Sequence, residues 1–324
     1  MTARRLLAAL GAVALIAAAL IVRAVVFDDG DDGGGGSPAA SRTAVCASEL
    51  AAACEEAGFD EVTVEQPGVT ADRLTGGERL GADVWVTTTP WPAMVEAAQG
   101  STRIGPIGSP IASGNLLLVT SNPRFDALDR RCSPFSWRCV GDLVDTPWAD
   151  LTSPEQGTVA IGVDSVDSSA GLATVGGLVA GYFEALDIPT AGLATNDFDD
   201  AFNEWLERVA RSSDVRSTGP GSVLERFVRL PAGGSTVTGL EVDVSRGVVG
   251  AAAERFAHAP PGPLVTTHAV VVGEVSEDVR NALGESLRAS GWAPPTASTA
   301  DAATGLPNSG VMVALRDRWR QLTR

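Results

Sequence analysis

Small hydroxyl side chains stand where predicted strands give way to helices, and such residues could bind a polar ligand. The fullest example is the stretch Thr158–Leu186, with a β-type run to Val163, a turn of Asp and Ser, and an apolar helix from Ala170. The first turn of a helix has backbone N–H groups without intrahelical partners, at the positive end of the helix dipole. Ser168 and Ser169 therefore predict a site for an anion or another polar ligand.

Further hydroxyls follow other predicted strands. The candidate ligand contacts in the whole chain are Ser48, Thr87, Thr88, Thr89, Ser113, Ser168 and Ser169. Each has a structural alternative, since Ser is a common helix N-cap and Thr favours strands and turns. Trp85 and Trp91 flank the Thr triplet, where they either stack on a ligand or pack in the interior.

The elements that must position these residues alternate between strand and helix. Strands are predicted at Thr43–Ala47, Glu61–Gln66 and Asp83–Thr87, with helices after each of them. This alternation predicts an α/β fold with a largely parallel sheet and helices on both faces. Ligands of such sheets bind beyond the carboxyl ends of the strands, where the candidate hydroxyls lie.

The second half of the chain has a less regular pattern. A β-rich run is predicted at Gly108–Thr120, a strand or two between Val223 and Val244, and an apolar strand at Leu264–Val272. Helices are predicted at residues 196–211, 277–290 and 312–322, the first of them amphipathic.

Composition excludes several classes of function. The 324 residues contain 40 Asp and Glu against 24 basic residues, and all 24 are Arg because the chain has no Lys. An acidic chain is a poor partner for nucleic acid. Without Lys there is no Schiff base, Ser-Lys dyad or P-loop. With two His and no hydrolase, zinc-protease or nucleotide-binding motif, the sequence predicts neither an enzyme nor a cofactor.

The four cysteines form two close pairs, Cys46 with Cys54 and Cys132 with Cys139. Neither pair has the spacing of a zinc site, and no His is near. Local disulfides are expected if the domain is exported, with buried thiols as the alternative.

The N-terminus predicts a membrane anchor. Arg4 and Arg5 precede an apolar run from Leu6 to Val22 that is longer than a signal-peptide core. Residues 1–27 are therefore expected to be an uncleaved single-pass anchor of the cell membrane, with residues 28–42 as an acidic, Gly-rich linker. The basic residues before the span predict a cytoplasmic N-terminus and an extracellular body.

The order of several short segments resembles a known family. The segments CASEL, GADVWVTT, GSPIASGNLLLV, TVAIGVDSVDSSAGL and GESLRASGW together resemble bacterial extracellular solute-binding proteins of the type 2 periplasmic-binding fold, nearest to the molybdate- and phosphate-like branch. The chain also looks like actinobacterial membrane-anchored members, without their von Willebrand factor A module.

The resemblance implies two lobes joined by two hinge crossings, with the ligand in the cleft between them. Over residues 43–324, lobe one would be about 43–118 and 266–324, and lobe two about 119–265. It also implies a small polar solute, an oxyanion among the options, and an ABC transporter as a possible partner. Glu241 and Asp243 oppose an oxyanion if they face the cleft, so either they point away or the ligand is not an anion. The alternative function is a degenerate domain of this fold that binds another envelope protein.

Overall fold

The structure is a computed structural model, and it describes residues 42–99, 104–213, 222–230, 236–295 and 305–324. The predicted anchor and all but the last residue of the predicted linker lie outside these residues. Among the described helices, none is both long and apolar enough to cross a membrane.

The described residues form a mixed α/β body. Its strands are β1 (Thr43–Ala47), β2 (Glu61–Glu65), β3 (Val84–Thr88), β4 (Ala112–Ser121), β5 (Ile161–Gly162), β6 (Thr236–Leu240), β7 (Phe256–Ala259) and β8 (Thr266–Val272). Its α-helices are α1 (Ala51–Glu56), α2 (Pro67–Thr75), α3 (Trp91–Gln99), α4 (Asn122–Arg131), α5 (Trp137–Asp142), α6 (Ser169–Glu184), α7 (Asp200–Ser212), α8 (Val223–Arg229), α9 (Glu241–Gly247), α10 (Glu277–Ala289) and α11 (Ser309–Leu322).

The sheet is mixed, so the prediction of a largely parallel sheet is wrong. The strand order is β2-β1-β3-β8-β4-β6-β5, with β7 also paired to β4. Among the strands of the described residues, β1 with β2, β1 with β3, and β5 with β6 are parallel, and the other pairs are antiparallel. Strand β8 returns from the distant C-terminal part of the chain and lies antiparallel to both β3 and β4, a pairing that local strand–helix alternation does not reveal.

Strand β4 divides the body into two lobes. Its residues 112–115 pair with β8, whereas residues 116–120 pair with β6 and residues 118–121 with β7. We call the part built on β1, β2, β3 and β8 the first lobe, and the part built on β5, β6 and β7 the second lobe. The chain passes between them within β4 and again between β7 and β8, which agrees with the two predicted crossings.

Helix α6 is the centre of the second lobe. It is apolar around almost its whole circumference, and nearly every residue from Ser169 to Phe183 is buried. A helix that is apolar on all sides is expected to be surrounded by protein. Accordingly, α6 packs against α5 on one side, and it also contacts β6 and α11.

Both predicted disulfides are present. Cys46–Cys54 joins the end of β1 to α1, and Cys132–Cys139 joins the end of α4 to α5. Each disulfide closes a short loop between two neighbouring elements.

Three local predictions are corrected by the structure. The strand predicted for residues 158–163 has only two residues, Ile161–Gly162. Between Val223 and Val244, where a strand or two are predicted, the structure has the strand β6, but the helix α8, which Ser222 caps, precedes it. The amphipathic helix predicted from Asn196 begins at Asp200, because the side chain of Asp199 accepts the N–H of Phe202 and fixes the N-cap there.

Candidate functional site

Ser168 is the N-cap of α6. Its Oγ accepts the backbone N–H of Gly171 at 3.1 Å and donates to the carbonyl of Ser165 at 2.8 Å. The loop before the helix is tight, since a Cβ on Gly171 would meet the carbonyl oxygen of Ser165. The hydroxyl of Ser168 is therefore engaged within its own loop.

Ser169, the first residue of α6, makes contacts across the lobe boundary. Its hydroxyl is hydrogen-bonded to the hydroxyl of Thr88, at the end of β3, and donates to Oε1 of Glu49. Ser169 and Thr88 are both buried. A carboxylate of the chain itself thus lies at the start of α6, where the sequence predicts a bound anion.

Ser48 directly precedes Glu49 and is exposed. Its Oγ donates to Oε2 of the same carboxylate at 3.1 Å. The carboxylate of Glu49 therefore accepts from one hydroxyl of each lobe. Because hydrogen bonds to charged groups are stronger than neutral ones, this arrangement stabilises the contact between the lobes.

The other three candidate hydroxyls are buried in the first lobe and do not line the cavity described below. Ser113 Oγ donates to the carbonyl of Pro294 at 2.7 Å. Thr89 Oγ1 accepts the backbone N–H of His268 at 3.0 Å. Thr87 is fully buried, and its Oγ1 has no hydrogen-bond partner among the described residues. Trp85 and Trp91 are also fully buried, which favours packing over ligand stacking.

A cavity of about 1030 Å³ lies beside the start of α6. Of the seven predicted contacts, Ser48, Ser168 and Ser169 line it. The charged side chains that line it come from both lobes and are Glu49, Asp164, Glu225, Arg229, Asp243 and Arg246. Within the described residues, four carboxylates thus oppose two guanidinium groups, so the cavity favours positive charge.

Asp243 is the most perturbed acid of this cavity. Burial raises its pKa from an ordinary value of 3.8 to about 6, and the nearby carboxylate of Glu49 adds to the rise. Asp164 also has a raised pKa, chiefly because of burial, although the backbone N–H groups of Ser165 and Val223 act in the opposite direction. Two acids from separate segments of the second lobe thus stand partly dehydrated at the cavity wall.

Glu241 and Asp243 differ in position. Glu241 is exposed and accepts a hydrogen bond from Asn115 Nδ2 at 2.9 Å, next to the crossing in β4. Asp243, two residues later on α9, lines the cavity. Asp243 therefore faces the cavity, whereas Glu241 is exposed and is not among the residues that line it.

Sequence reasoning missed Glu49, Asp164 and Glu225 as cavity residues. Glu49 and Asp164 had a usable signal, since they adjoin the predicted hydroxyl contacts in the chain. Glu225 had none, because the sequence predicted only a strand or two between Val223 and Val244 and no helix there. No group of three or more His, Cys, Asp or Glu that could hold a metal ion occurs among the described residues.

Comparisons with known proteins return structural likeness only. No family model matches the chain, and no curated protein sequence matches it. Among solved structures, the chain is similar to a periplasmic thiamin binding protein, with 11% identity, a TM-score of 0.49, and 91% of this chain and 99% of that chain covered.

Two further solved structures have similar values. An ABC transporter protein from Clostridium perfringens matches at 10% identity and a TM-score of 0.48, covering 87% of this chain and 100% of that one. A Bordetella ferric binding protein matches at 12% identity and a TM-score of 0.45, covering 87% and 96%. At these values the likeness transfers no ligand to this chain.

Proposed function

We propose that the chain is a solute-binding or sensing protein that takes a small, polar, positively charged ligand in the cavity between its two lobes. The observation that carries the proposal is the cavity itself, whose volume of about 1030 Å³ suits a small molecule and whose charged side chains come from both lobes. A ligand that contacts both lobes stabilises the closed arrangement, because it binds the closed form better than the open one.

The residues that line the cavity support a positive charge on the ligand. The hydroxyls of Thr88 and Ser169 are hydrogen-bonded to each other, and Ser169 donates to the carboxylate of Glu49, so neither hydroxyl is free to solvate an anion. An oxyanion would also approach Asp243, and two like charges at a partly dehydrated site repel strongly. A cation is instead attracted by the same carboxylates. The attraction is strongest at Asp243, which is partly dehydrated.

We also propose that the protein is anchored in the cell membrane. Residues 1–27 would anchor the chain in the cell membrane, with the body outside the cell and the linker of residues 28–42 between them. Tethering would hold the body at high effective concentration beside a membrane partner such as an ABC transporter. The apolar run from Leu6 to Val22 supports the anchor. N-terminal sequencing of the membrane fraction tests it, since a start between residues 37 and 42 would contradict it.

The ligand test uses thermal unfolding of the full chain with four groups of probes. These are organic amines and diamines, inorganic oxyanions, sugars, and divalent metal ions. Binding raises the free energy of unfolding by RT ln(1 + [L]/Kd), and the unfolding temperature rises with it. Amines or another cationic class should therefore raise the unfolding temperature, and oxyanions should not. A rise with oxyanions alone, or with no class, would contradict the proposal.

Glu49→Gln and Asp243→Asn then locate the binding. Each keeps the size of the side chain and removes one cavity carboxylate, so each should weaken binding of a cation by about tenfold or more. Glu207→Gln is the matched control, because Glu207 pairs with Arg211 on the surface of α7. Equal losses in all three variants would show that only the overall charge matters.

The second candidate is a domain of the same fold that binds another envelope protein. The observation in its favour is that the hydroxyls of Ser113, Thr88, Ser168 and Ser169 all have partners within the chain. This candidate predicts a stable envelope partner in pull-down experiments. Binding of that partner should survive both Glu49→Gln and Asp243→Asn.

A further inference from the structure

Two arginines of the C-terminal helix join the two lobes. Arg316 and Arg320 lie one turn apart on α11, and each contacts both Asp72 of α2 and Asp167 of the loop before α6. Arg316 Nη1 lies 2.6 Å from Asp72 Oδ1, and its Nη2 lies 2.5 Å from Asp167 Oδ1. The acid Asp72 belongs to the first lobe, whereas Asp167 belongs to the second.

We propose that these four side chains, Asp72, Asp167, Arg316 and Arg320, form a clasp that holds the lobes together without a ligand and sets the free energy needed to open the cavity. The clasp goes beyond the proposed function and needs no ligand to be tested. Its charges balance, with two acids against two guanidinium groups.

The backbones of the two lobes also approach each other closely at this point. The N–H of Gly68, at the start of α2, donates to the carbonyl of Asp167 at 2.9 Å. The carbonyl of Gly68 accepts from Arg316 Nη2 at 2.8 Å. A Cβ at Gly68 would lie 2.6 Å from Asp167 Cα, so only glycine fits without displacement. The two lobes therefore touch through backbone as well as charge.

Burial makes the clasp stronger than a surface ion pair. The side chain of Arg316 is only 7% exposed and lies over the ring of Trp91, 4.8 Å from its centroid. Burial acts to raise the pKa of Asp72, but hydrogen bonds from Arg320 and Arg316 outweigh it and hold that pKa below its usual value. Breaking one partner leaves another charge partly buried, which costs more than loss of an exposed pair.

The position of Asp167 connects the clasp to the cavity. Asp167 directly precedes Ser168 and Ser169, which line the cavity wall at the start of α6. Helix α11 itself packs against α3 in the first lobe and against α6 and α7 in the second. Any movement that lifts the loop from α2 must therefore separate the lobes beside the cavity.

The test is Asp167→Asn in the full chain, read by hydrogen exchange without ligand. The amide of Gly68 reports the junction directly, because it donates to Asp167, whereas the amide of Gly108 donates to Val271 within the first lobe. We expect exchange at Gly68 to become about tenfold faster while Gly108 is unchanged, as expected for local and not global opening. The radius of gyration from X-ray scattering should rise with it.

The test has one control variant and one further variant of the clasp. Glu207→Gln removes the same charge from the exposed pair with Arg211 on α7 and should change neither amide. Arg320→Gln removes a cation of the clasp at a side chain that is 27% exposed, and it should have the same effect as Asp167→Asn. It replaces Asp167→Asn in the test if that variant folds poorly. Unchanged exchange at Gly68 in both clasp variants, or equally faster exchange at Gly68 and Gly108, would overturn the proposal.

Discussion

The carboxylate of Glu49 accepts a hydrogen bond from the hydroxyl of Ser169, across the boundary between the two lobes. Ser169 begins α6, so an acid of the chain itself lies where the helix dipole attracts negative charge. The contact explains why a helix start with anion-binding character need not bind an external anion. Glu49 also lines the adjacent cavity, where its charge adds to those of Asp164, Glu225 and Asp243.

A double-mutant cycle on Ser169 and Thr88 should reveal their coupling. Ser169→Ala leaves the buried hydroxyl of Thr88 and one oxygen of Glu49 without their partner, so we expect a loss of about 1–3 kcal/mol in the free energy of unfolding. Adding Thr88→Val to Ser169→Ala should cost less than Thr88→Val does alone, with a coupling of about 0.5–1.5 kcal/mol. Denaturant unfolding of the four proteins measures it, and strict additivity would contradict the contact.

Ser168 should behave as a helix cap. Ser168→Ala should lower the free energy of unfolding by about 0.5–2 kcal/mol, because the N–H of Gly171 loses its acceptor. Ser168→Asn supplies another acceptor and should recover most of the loss. If instead Ser168→Ala is as stable as the parent chain and loses ligand binding, the hydroxyl serves the ligand and not the helix.

Asp243 should make stability depend on pH between its two pKa values. The unfolded chain releases this proton near pH 3.9, whereas the native chain keeps it up to about pH 6. The native state therefore binds more protons in this window, and stability falls as pH rises through it. Ionised Asp243 costs at most about 3 kcal/mol at pH 7 by this reasoning.

Asp243→Asn removes that cost. We expect the variant to be more stable than the parent chain at pH 7 by about 1–3 kcal/mol, with the difference vanishing near pH 3.5. Urea unfolding across this pH range measures it, with Asp126→Asn at an exposed position of α4 as the control. A variant that is less stable at pH 7 would show that Asp243 makes a stabilising contact as an anion.

Gly68→Ala should separate the intrinsic helix preference from crowding at the lobe junction. Alanine normally stabilises a helix relative to glycine by up to about 1 kcal/mol. Here the new Cβ would meet Asp167 and Arg316, so we expect a loss of about 1–3 kcal/mol instead. Gly192→Ala is the control, because no atom lies within 4 Å of its new Cβ. A stabilised Gly68→Ala would mean that the junction is looser than the structure indicates.

Much of the local structure could be predicted because local spacing determines it. The two disulfides join cysteines that are eight and seven residues apart, respectively. The partners therefore meet once the elements that carry them have formed. The hydroxyl of Ser168 likewise finds its partners within three residues. Helix α6 was visible as a long apolar run after a cap, and the body from Thr43 onward was recognisable as strand and helix.

Only the tertiary structure decided strand direction and the partners of the candidate hydroxyls. Pairing of β8 between β3 and β4 depends on which distant surfaces bury each other, and no local pattern encodes it. Ser113 and Thr89 resembled Ser169 in sequence, yet their partners are Pro294 and His268, far along the chain. The sequence by itself indicated the N-cap of α6 and the two cysteine pairs, because each depends on residues that are close together in the chain. The fold decided that Glu49 meets Ser169 and that Asp167 meets Arg316, because these contacts depend on long-range packing.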